Sequence, residues 1–242
     1  MKRNIIVYIT TVITGFLFAN NAYVAVNKLP SVNLESAFTH QVELIGNKKA
    51  SAVLDASEET SQIASQVIYQ IVGESLPKKY KSHTRALAAT IVKEANKYGM
   101  DPLFLVSVIR HESTFNPDAI GLVGEIGLMQ IRPSTAEWLN KKYKIVKKVN
   151  LKDPSNNVII GAFYFNHLRD KFSQNSRWYI SAYNMGATKL KRNIAQNIRP
   201  KEYVQNVMKY YVKYVKRLNA AYEKAGEVVS INATSTKIAS ID

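Results

Sequence analysis

Residues 101–113, with the sequence DPLFLVSVIRHES, decide the fold of this chain. Asp101 followed by Pro102 is a strong helix start, because aspartate caps free backbone N–H groups and proline suits the first helical turn. Residues 103–109 are apolar almost all round, which is typical of a helix buried on every side. The segment therefore predicts a central helix in a helical domain, and this helix ends at the polar residues 111–113.

Glu112 lies at the C-terminal end of this predicted helix, just before a glycine-rich loop at 116–128. The negative end of the helix dipole and the apolar neighbours both disfavour a charged carboxylate, so we expect a raised pKa for Glu112. A general acid that works near neutral pH needs such a pKa. A surface glutamate at a helix end explains the same residues, and both interpretations stay open here. In the loop, Gly121, Gly124 and Gly127 predict positive φ angles and close backbone approach.

The rest of the chain also predicts helices, and no stretch alternates in polarity as a strand does. In chain order, the predicted helices cover about 57–72, 83–98, 134–138, a stretch from Asp153, 178–191 and a long stretch after Pro200. Ser134 and Glu137 fit a capping box at the start of the third of these helices. The fold class predicted from the sequence is mainly α.

We divide the chain into four parts by composition and pattern. They are a signal peptide or membrane anchor at 1–26, a linker and helical extension at 27–82, the main domain at 83–225 and a flexible tail at 226–242. Residues 27–56 show no sustained period and contain Pro30 and Gly46, so we interpret them as a linker or a loosely packed extension.

The N-terminal segment predicts export. Lys2 and Arg3 precede an uncharged run from 5 to 19, which is typical of a secretory signal. Taken as 5–26, the stretch is long enough to span a bilayer. We expect an exported protein in the periplasm or cell envelope, either free or anchored to the inner membrane. A buried N-terminal helix is the alternative.

The composition excludes some classes of protein and favours a polyanionic partner. The 242 residues include 33 basic and 18 acidic side chains, a net charge of +15, and no cysteine. The lack of cysteine excludes a disulfide scaffold, a thiol nucleophile and a cysteine zinc site. The charge suits nucleic acid, an anionic membrane or an acidic wall polymer, although a basic protein without such a partner has the same composition.

Several common catalytic motifs are missing from the sequence. His111-Glu112 does not begin a zinc-protease motif, because residue 115 is phenylalanine. The four histidines lack ligand spacing, and the chain has no nucleophile elbow, phosphate-binding loop or dinucleotide fingerprint. Nothing in the sequence calls for a metal or an organic cofactor.

Five ordered segments resemble the lytic transglycosylases with a soluble-lytic-transglycosylase (SLT) domain, a glycoside hydrolase family 23-like group related in fold to goose-type lysozyme. Residues 112–119 are similar to the family's E-S-x-F-N-P-x-A segment, and 127–136 to its G-L-M-Q-I-x-P-x-T-A segment. Residues 151–164 are similar to its L-x-D-P and G-x-x-Y helix, 182–186 to its A-Y-N-x-G, and Tyr203-Val204 to its late Y-V pair. Because all five occur in the family's order, the resemblance is specific.

The resemblance implies a lysozyme-like helical domain that cleaves the β-1,4 bond between N-acetylmuramic acid and N-acetylglucosamine in peptidoglycan. By motif position, Glu112 would protonate the glycosidic oxygen and then accept the proton of the muramoyl C6 hydroxyl as that oxygen closes on C1. The product would be a 1,6-anhydro sugar, and no water would be consumed. Proximity of the internal hydroxyl then replaces a second carboxylate.

The resemblance also implies roles for residues around Glu112. Ser113 would orient the acetamido group or the catalytic carboxylate, and Met129 and Gln130 would line the sugar subsites. Tyr183 would hydrogen-bond near Glu112, Asn184 would hold the loop around it, and Tyr164 would be a wall or a supporting group. Core packing explains Met129 and Tyr164 equally well. For Tyr203, core packing is the preferred interpretation.

Glu125 stands where the family more often has a small residue. It would be either a loop residue that pairs with a lysine or arginine, or a second carboxylate that activates water. The second role would make the protein a hydrolytic muramidase of the same fold.

Two further alternatives belong to other functional classes. One is a noncatalytic protein that binds the wall or assists envelope assembly. This alternative is opposed by the intact residues Glu112, Gln130, Tyr183 and Asn184. The other is a nucleic-acid-binding protein with 14 tyrosines available for stacking, which the export signal opposes. We therefore expect peptidoglycan strands as partner, a membrane contact through the N-terminal segment, and no nucleic acid. The basic last helix would bind wall or lipid, or simply face solvent.

Overall fold

The computed structural model describes residues 29–47 and 57–225, and this part of the chain is built from helices. The predicted signal or anchor at 1–26 and the predicted tail at 226–242 lie outside the described residues. In chain order the helices are α1 (Leu34–Ile45), α2 (Glu58–Ser75), a 3₁₀ helix (Lys78–His83), α3 (Thr84–Lys97), α4 (Pro102–Ser113), α5 (Pro133–Tyr143), α6 (Pro154–Lys171), α7 (Ser176–Met185), α8 (Ala187–Ala195) and α9 (Glu202–Ala225). The mainly α fold class is confirmed.

Helix α4 is the central helix of the domain, as its sequence predicts. The carboxylate of Asp101 accepts a hydrogen bond from the Leu103 N–H at 2.8 Å and so caps the first turn. Residues 103–109 are at most 1% exposed, and α2, α3 and α9 pack around them. This burial fixes the last turn of α4, which carries Glu112, to the rest of the core.

The interpretation of residues 27–56 as a linker or loose extension is wrong for α1. Within α1, His40 is fully buried. Its Nδ1 accepts the Asp101 N–H at 3.0 Å, so its Nε2 carries the proton that it donates to the Tyr179 hydroxyl, also at 3.0 Å. Burial lowers the pKa of His40 to about 3, which keeps the ring neutral.

A second contact holds α1 against α6. The Arg169 guanidinium donates to the Glu43 carboxylate, with Nη2 at 2.5 Å from Oε2, and the two side chains are only 11% and 13% exposed. The same guanidinium donates to the backbone carbonyls of Tyr98 and Gly99. Both partners of this ion pair are largely removed from water. Helix α1 is therefore packed against α6 through Glu43 and against the start of α4 through His40.

Two predicted helix boundaries differ in the structure. The capping box at Ser134 and Glu137 does not form, because α5 already begins at Pro133 and its N-cap residue is Arg132. Proline at the first helical position needs no N–H partner, which favours the earlier start. The helix predicted at 178–191 is interrupted at Gly186, whose φ of 84° ends α7 and starts α8.

Membrane-spanning helices, metal-ligand clusters and extended strands are not found among the described residues. Between 29 and 47 and between 57 and 225, no helix combines the length and apolarity needed to cross a membrane. The same ranges hold no cluster of three or more metal-ligating side chains. Their only β pairing consists of isolated bridges, from Ile126 to Ile120 and to Ile131, which fold the glycine-rich loop back on itself.

Candidate active site

The glycine-rich loop is fastened to α6 by one buried asparagine. The side chain of Asn157 donates to the Ile126 and Leu151 carbonyls at 2.8 and 2.9 Å and accepts the Met129 N–H at 2.8 Å. Gly127 lies against this amide with a φ of 80°, and a Cβ there would come within 2.4 Å of Asn157 Nδ2. Both predictions for Gly127, positive φ and close approach, are confirmed, and the loop is thereby fixed beside the end of α4.

The Glu112 side chain is largely buried at the end of α4. Burial raises the pKa of its carboxyl to about 7, and the negative charge of Glu125 adds to the increase. A hydrogen bond from the Tyr203 hydroxyl to Glu112 Oε1 opposes the increase, because it stabilises the charged form. The raised pKa predicted for Glu112 therefore has burial as its main cause.

Glu112 lies where two cavities meet. We call the first, of about 290 Å³, the loop-side cavity; besides Glu112, it is lined by Glu125, Gln130, Ile131, Arg132, Thr135, Tyr164, Tyr183, Asn184, Met185 and Gly186. We call the second, of about 580 Å³, the α9-side cavity; it is lined by His111, Glu112, Ser181, Asn184, Met185, Pro200, Lys201, Glu202, Tyr203 and Asn206. A chain-like ligand that passes through both cavities would cross Glu112 near its middle.

The structure brings four of the predicted binding residues together with Glu112. Gln130, Tyr164, Tyr183 and Asn184 all line the loop-side cavity, and Asn184 also lines the α9-side cavity. The Gln130 amide donates to two carbonyls of the loop, Ala119 at 3.2 Å and Gly127 at 3.0 Å.

Ser113 and Met129 make contacts with the loop and the core. The Ser113 hydroxyl donates to the Leu128 carbonyl at 2.8 Å, so it joins α4 to the loop. The Met129 side chain is fully buried and packs on Gly161, where a Cβ would come within 2.4 Å of its sulfur. Of the two interpretations of Met129, as a residue that lines a sugar subsite or as part of the core, its side chain follows core packing.

The contact to Glu112 comes from Tyr203, for which sequence reasoning preferred core packing. The Tyr183 hydroxyl donates to the Met129 carbonyl at 2.7 Å, and its ring stacks on Phe165 with centroids 3.9 Å apart. Burial and the Glu112 charge raise the pKa of both tyrosines far above the ordinary value, so both stay protonated. The one signal in the sequence for Tyr203 is its place in the Y-V pair.

Glu125 pairs with an arginine and also lines the cavity of Glu112. Arg132 Nε donates to Glu125 Oε1 at 3.1 Å, and the side chains are 56% and 20% exposed. Glu125 Oε2 accepts the Val123 N–H at 3.2 Å. Hydrogen bonds and the Arg132 charge outweigh desolvation and lower the pKa of Glu125. The expected pairing with an arginine is confirmed, and the site holds Glu125, whose carboxyl pKa is lowered, together with Glu112, whose carboxyl pKa is about 7.

The α9-side cavity has an unpartnered hydroxyl in its wall. Ser181 is 1% exposed, and its Oγ has no hydrogen-bond partner among the described residues. Buried hydroxyls are normally paired, so this one is available to a ligand or to water. On the same side, the His111 ring lies edge-on to Tyr203 with centroids 4.9 Å apart, which supports the tyrosine that contacts Glu112.

Comparison with known protein families and curated proteins finds similarity to lytic transglycosylases. Residues 89–206 match the family model described as the transglycosylase SLT domain. Membrane-bound lytic murein transglycosylase C of Histophilus somni is 37% identical over an alignment of 115 positions, gaps included, that covers 40% of this chain and 30% of that protein. A putative soluble lytic murein transglycosylase of Haemophilus influenzae is 27% identical over 155 residues, covering 63% of this chain and 25% of that protein.

Solved structures match the fold. An inactive glutamate-to-glutamine mutant of the lytic transglycosylase Slt from Pseudomonas aeruginosa has a TM-score of 0.50 and 27% identity, covering 66% of this chain and 31% of that chain. The 70 kDa soluble lytic transglycosylase of Escherichia coli also has a TM-score of 0.50, at 22% identity, covering 74% of this chain and 33% of that chain. The chain thus spans a third or less of the length of each of these four relatives.

Proposed function

We propose that this chain, whose residues 89–206 match the family model of the transglycosylase SLT domain, is a peptidoglycan lytic transglycosylase. It would cleave the β-1,4 bond between N-acetylmuramic acid and N-acetylglucosamine and leave a 1,6-anhydro-muramoyl end. The observation that carries the proposal is the buried Glu112 carboxyl, with a pKa of about 7, at the junction of two cavities. A glycan strand lying through both cavities presents one glycosidic bond to this carboxyl.

In the first step, protonated Glu112 donates its proton to the glycosidic oxygen, and the bond from C1 to that oxygen breaks. A group with a pKa near 7 is protonated in about half of the molecules at neutral pH and transfers the proton readily. The Tyr203 hydroxyl donates to Oε1, so it stabilises the carboxylate that this step produces. Burial of Glu112 thus favours the protonated form that the step needs, and Tyr203 stabilises the carboxylate that the step leaves.

In the second step, the Glu112 carboxylate accepts the proton of the muramoyl C6 hydroxyl while that oxygen bonds to C1. The nucleophile belongs to the substrate, so its effective concentration is high without a bound water. Glu112 ends protonated and ready for the next bond. Gln130, Tyr164, Tyr183 and Asn184 form the wall of the loop-side cavity and would bind the sugars on that side.

A hydrolytic muramidase is the second candidate, because Glu125 puts an ionised carboxylate in the same cavity. A base on the far side of the sugar would take a proton from water while water attacks C1. Against this role, Glu125 is occupied by Arg132 and by the Val123 N–H. If hydrolysis occurs, Glu125→Gln removes the water-added products and spares the anhydro products.

We further propose the cell envelope as the place of action. The names of the relatives include both membrane-bound and soluble lytic murein transglycosylases, and the sequence pattern at 1–26 favours export. The charge of +15 suits peptidoglycan, which carries lactyl and peptide carboxylates. Peptidoglycan strands are the proposed substrate.

The test is the release of muropeptides from purified sacculi by the whole chain, followed by mass spectrometry. The control is Glu112→Gln, which keeps the size of the side chain and removes the transferable proton. We expect anhydro products from the unmutated protein and none from the variant. Release by both proteins would contradict the role of Glu112, and release by neither would contradict the enzymatic activity.

A further inference from the structure

Arg132 is a cation in the wall of the loop-side cavity that the reaction described above does not use. It shares that cavity with Glu112 and Gln130. Only its Nε is bound, to Glu125. Among the described residues, no acceptor takes a hydrogen bond from its two terminal nitrogens, and the side chain is 56% exposed. The terminal nitrogens therefore remain available to an acceptor on a ligand.

Glu125 fixes the position of this guanidinium. It is itself held by the Val123 N–H at 3.2 Å, so the ion pair is attached to the loop backbone. The pairing also requires Gly121, because a Cβ there would come within 2.5 Å of Glu125 Oε2. A planar guanidinium held at Nε presents its other edge in a defined direction, which suits bidentate binding of a planar anion.

A second side chain that can donate a hydrogen bond lies on the same wall of the cavity. Thr135, in the first turn of α5, lines the cavity together with Arg132. That turn has no side-chain cap. The edge of a guanidinium and a threonine hydroxyl are both donors that bind carboxylates. A neutral sugar hydroxyl on the ligand could be bound without a full positive charge in the wall.

We propose that Arg132, oriented by Glu125, binds a carboxylate of the peptidoglycan strand in the loop-side cavity. The ligand chemistry is a carboxylate on a muramic acid residue, either the lactyl group or the attached peptide. The enzyme would thereby select strands that carry this charge over uncharged glycans of the same length. This inference rests on the proposed function, because it names a substrate feature read by the same cleft.

The experiment compares matched glycan strands in two forms. In one arm, denuded strands keep the lactyl carboxylate, and the same strands are also converted to primary amides. In the other arm, strands with intact peptides are compared with their amidated form. We expect the KM for a carboxylate form to be lower than for its amide by about tenfold or more, the effect of a charge-assisted contact. The arm that shows the difference identifies the source of the carboxylate.

Two variants test the residue. Arg132→Gln should raise the KM for the carboxylate form to that of the amide, with a much smaller change in kcat. Lys141→Gln, which removes the same charge from the exposed face of α5 outside the cavity, should keep the preference. Equal KM values for both forms with the unmutated protein, or a preference that survives Arg132→Gln, would overturn the proposal.

A binding measurement separates this inference from the proposed function. Titration of carboxylate and amidated strands into the Glu112→Gln variant needs no turnover, and adding Arg132→Gln to it repeats the comparison. A preference that depends on Arg132 without any cleavage by the unmutated protein would support the carboxylate site and contradict the enzyme. Cleavage with no preference in binding would support the enzyme and contradict the carboxylate site.

Discussion

Replacing Tyr203 by phenylalanine should raise the pKa of Glu112. The Tyr203 hydroxyl donates to Glu112 Oε1 and holds the pKa below the value that burial alone would give. A hydrogen bond to a charged group contributes about 1.5–3 kcal/mol, and one pKa unit corresponds to about 1.4 kcal/mol. The loss of the bond should therefore move the pKa of Glu112 upward by about 1–2 units.

The assay is the pH dependence of kcat/KM on soluble glycan strands. Because protonated Glu112 is the active form, the alkaline limb of the profile reports its pKa in the free enzyme. In Tyr203→Phe this limb should move to higher pH, so the variant should keep a larger share of its optimum activity at pH 8.5 than the unmutated protein does. The height of the profile should fall as well, since the carboxylate formed after proton transfer loses its donor.

Tyr222→Phe is the matched control, because Tyr222 lies on the same helix, is 2% exposed, and has no hydrogen-bond partner for its hydroxyl among the described residues. Its alkaline limb should coincide with that of the unmutated protein. A limb that stays in place in Tyr203→Phe, or that moves to lower pH, would refute the assignment of the hydrogen bond to the charged form of Glu112.

Three further predictions concern stability, measured by denaturant unfolding. The pKa of Glu112 rises from 4.5 to about 7 on folding, so the fold should lose up to about 3 kcal/mol as pH rises through this window, and Glu112→Gln should lose much less. The pKa of His40 falls from 6.5 to about 3, so stability should fall as pH drops through that window, and His40→Gln, less stable at neutral pH, should show a flatter curve. Gly127→Ala should be destabilising by about 3 kcal/mol, and Gly124→Ala, which has positive φ but open space, by only about 1 kcal/mol. The first two assignments would be contradicted if the variant and the unmutated protein showed the same slope of stability against pH. The third would be contradicted if Gly127→Ala and Gly124→Ala lost the same free energy of unfolding.

The parts of the fold that follow from local sequence are predictable. Helix α4 is one of them, because its cap, its proline and its apolar residues lie next to one another in the chain. The loop glycines are another, since positive φ is a local property: Gly124 and Gly127 have φ angles of 87° and 80°. Gly121 shows the close approach without a positive φ. The resemblance predicts Glu112 and four residues of the loop-side cavity wall, because its motifs contain Gln130, Tyr164, Tyr183 and Asn184.

Helix α1 shows why other parts could not be predicted. Two of its long-range contacts use a histidine and a glutamate, which a search for apolar periodicity counts as solvent-facing. Their partners Asp101 and Arg169 lie 61 and 126 residues further along the chain. Nothing near residue 40 in the sequence indicates these partners, so the segment resembles a linker until the fold brings them together.

The Tyr203 contact and the burial of Met129 have the same explanation. Tyr203 reaches Glu112 across 91 residues of sequence, and tyrosines that pack and tyrosines that donate to a carboxylate occupy similar positions on a helix. Met129 is an apolar residue that lies in the chain between the glycine-rich loop and Gln130. Its side chain fills the space above Gly161, because that glycine leaves room for it. In both cases the partner decides the role.

In the proposed reaction the internal C6 hydroxyl, and not water, takes the place of the leaving sugar while Glu112 transfers both protons. The most direct test is digestion of sacculi in water enriched in oxygen-18, with mass spectrometry of the newly formed muramoyl ends. We expect anhydro ends without label from the unmutated protein, and no such ends from Glu112→Gln. Reducing ends that carry one labelled oxygen from solvent, and are therefore about two mass units heavier than the same ends formed in ordinary water, would contradict this reaction and assign hydrolysis to the site.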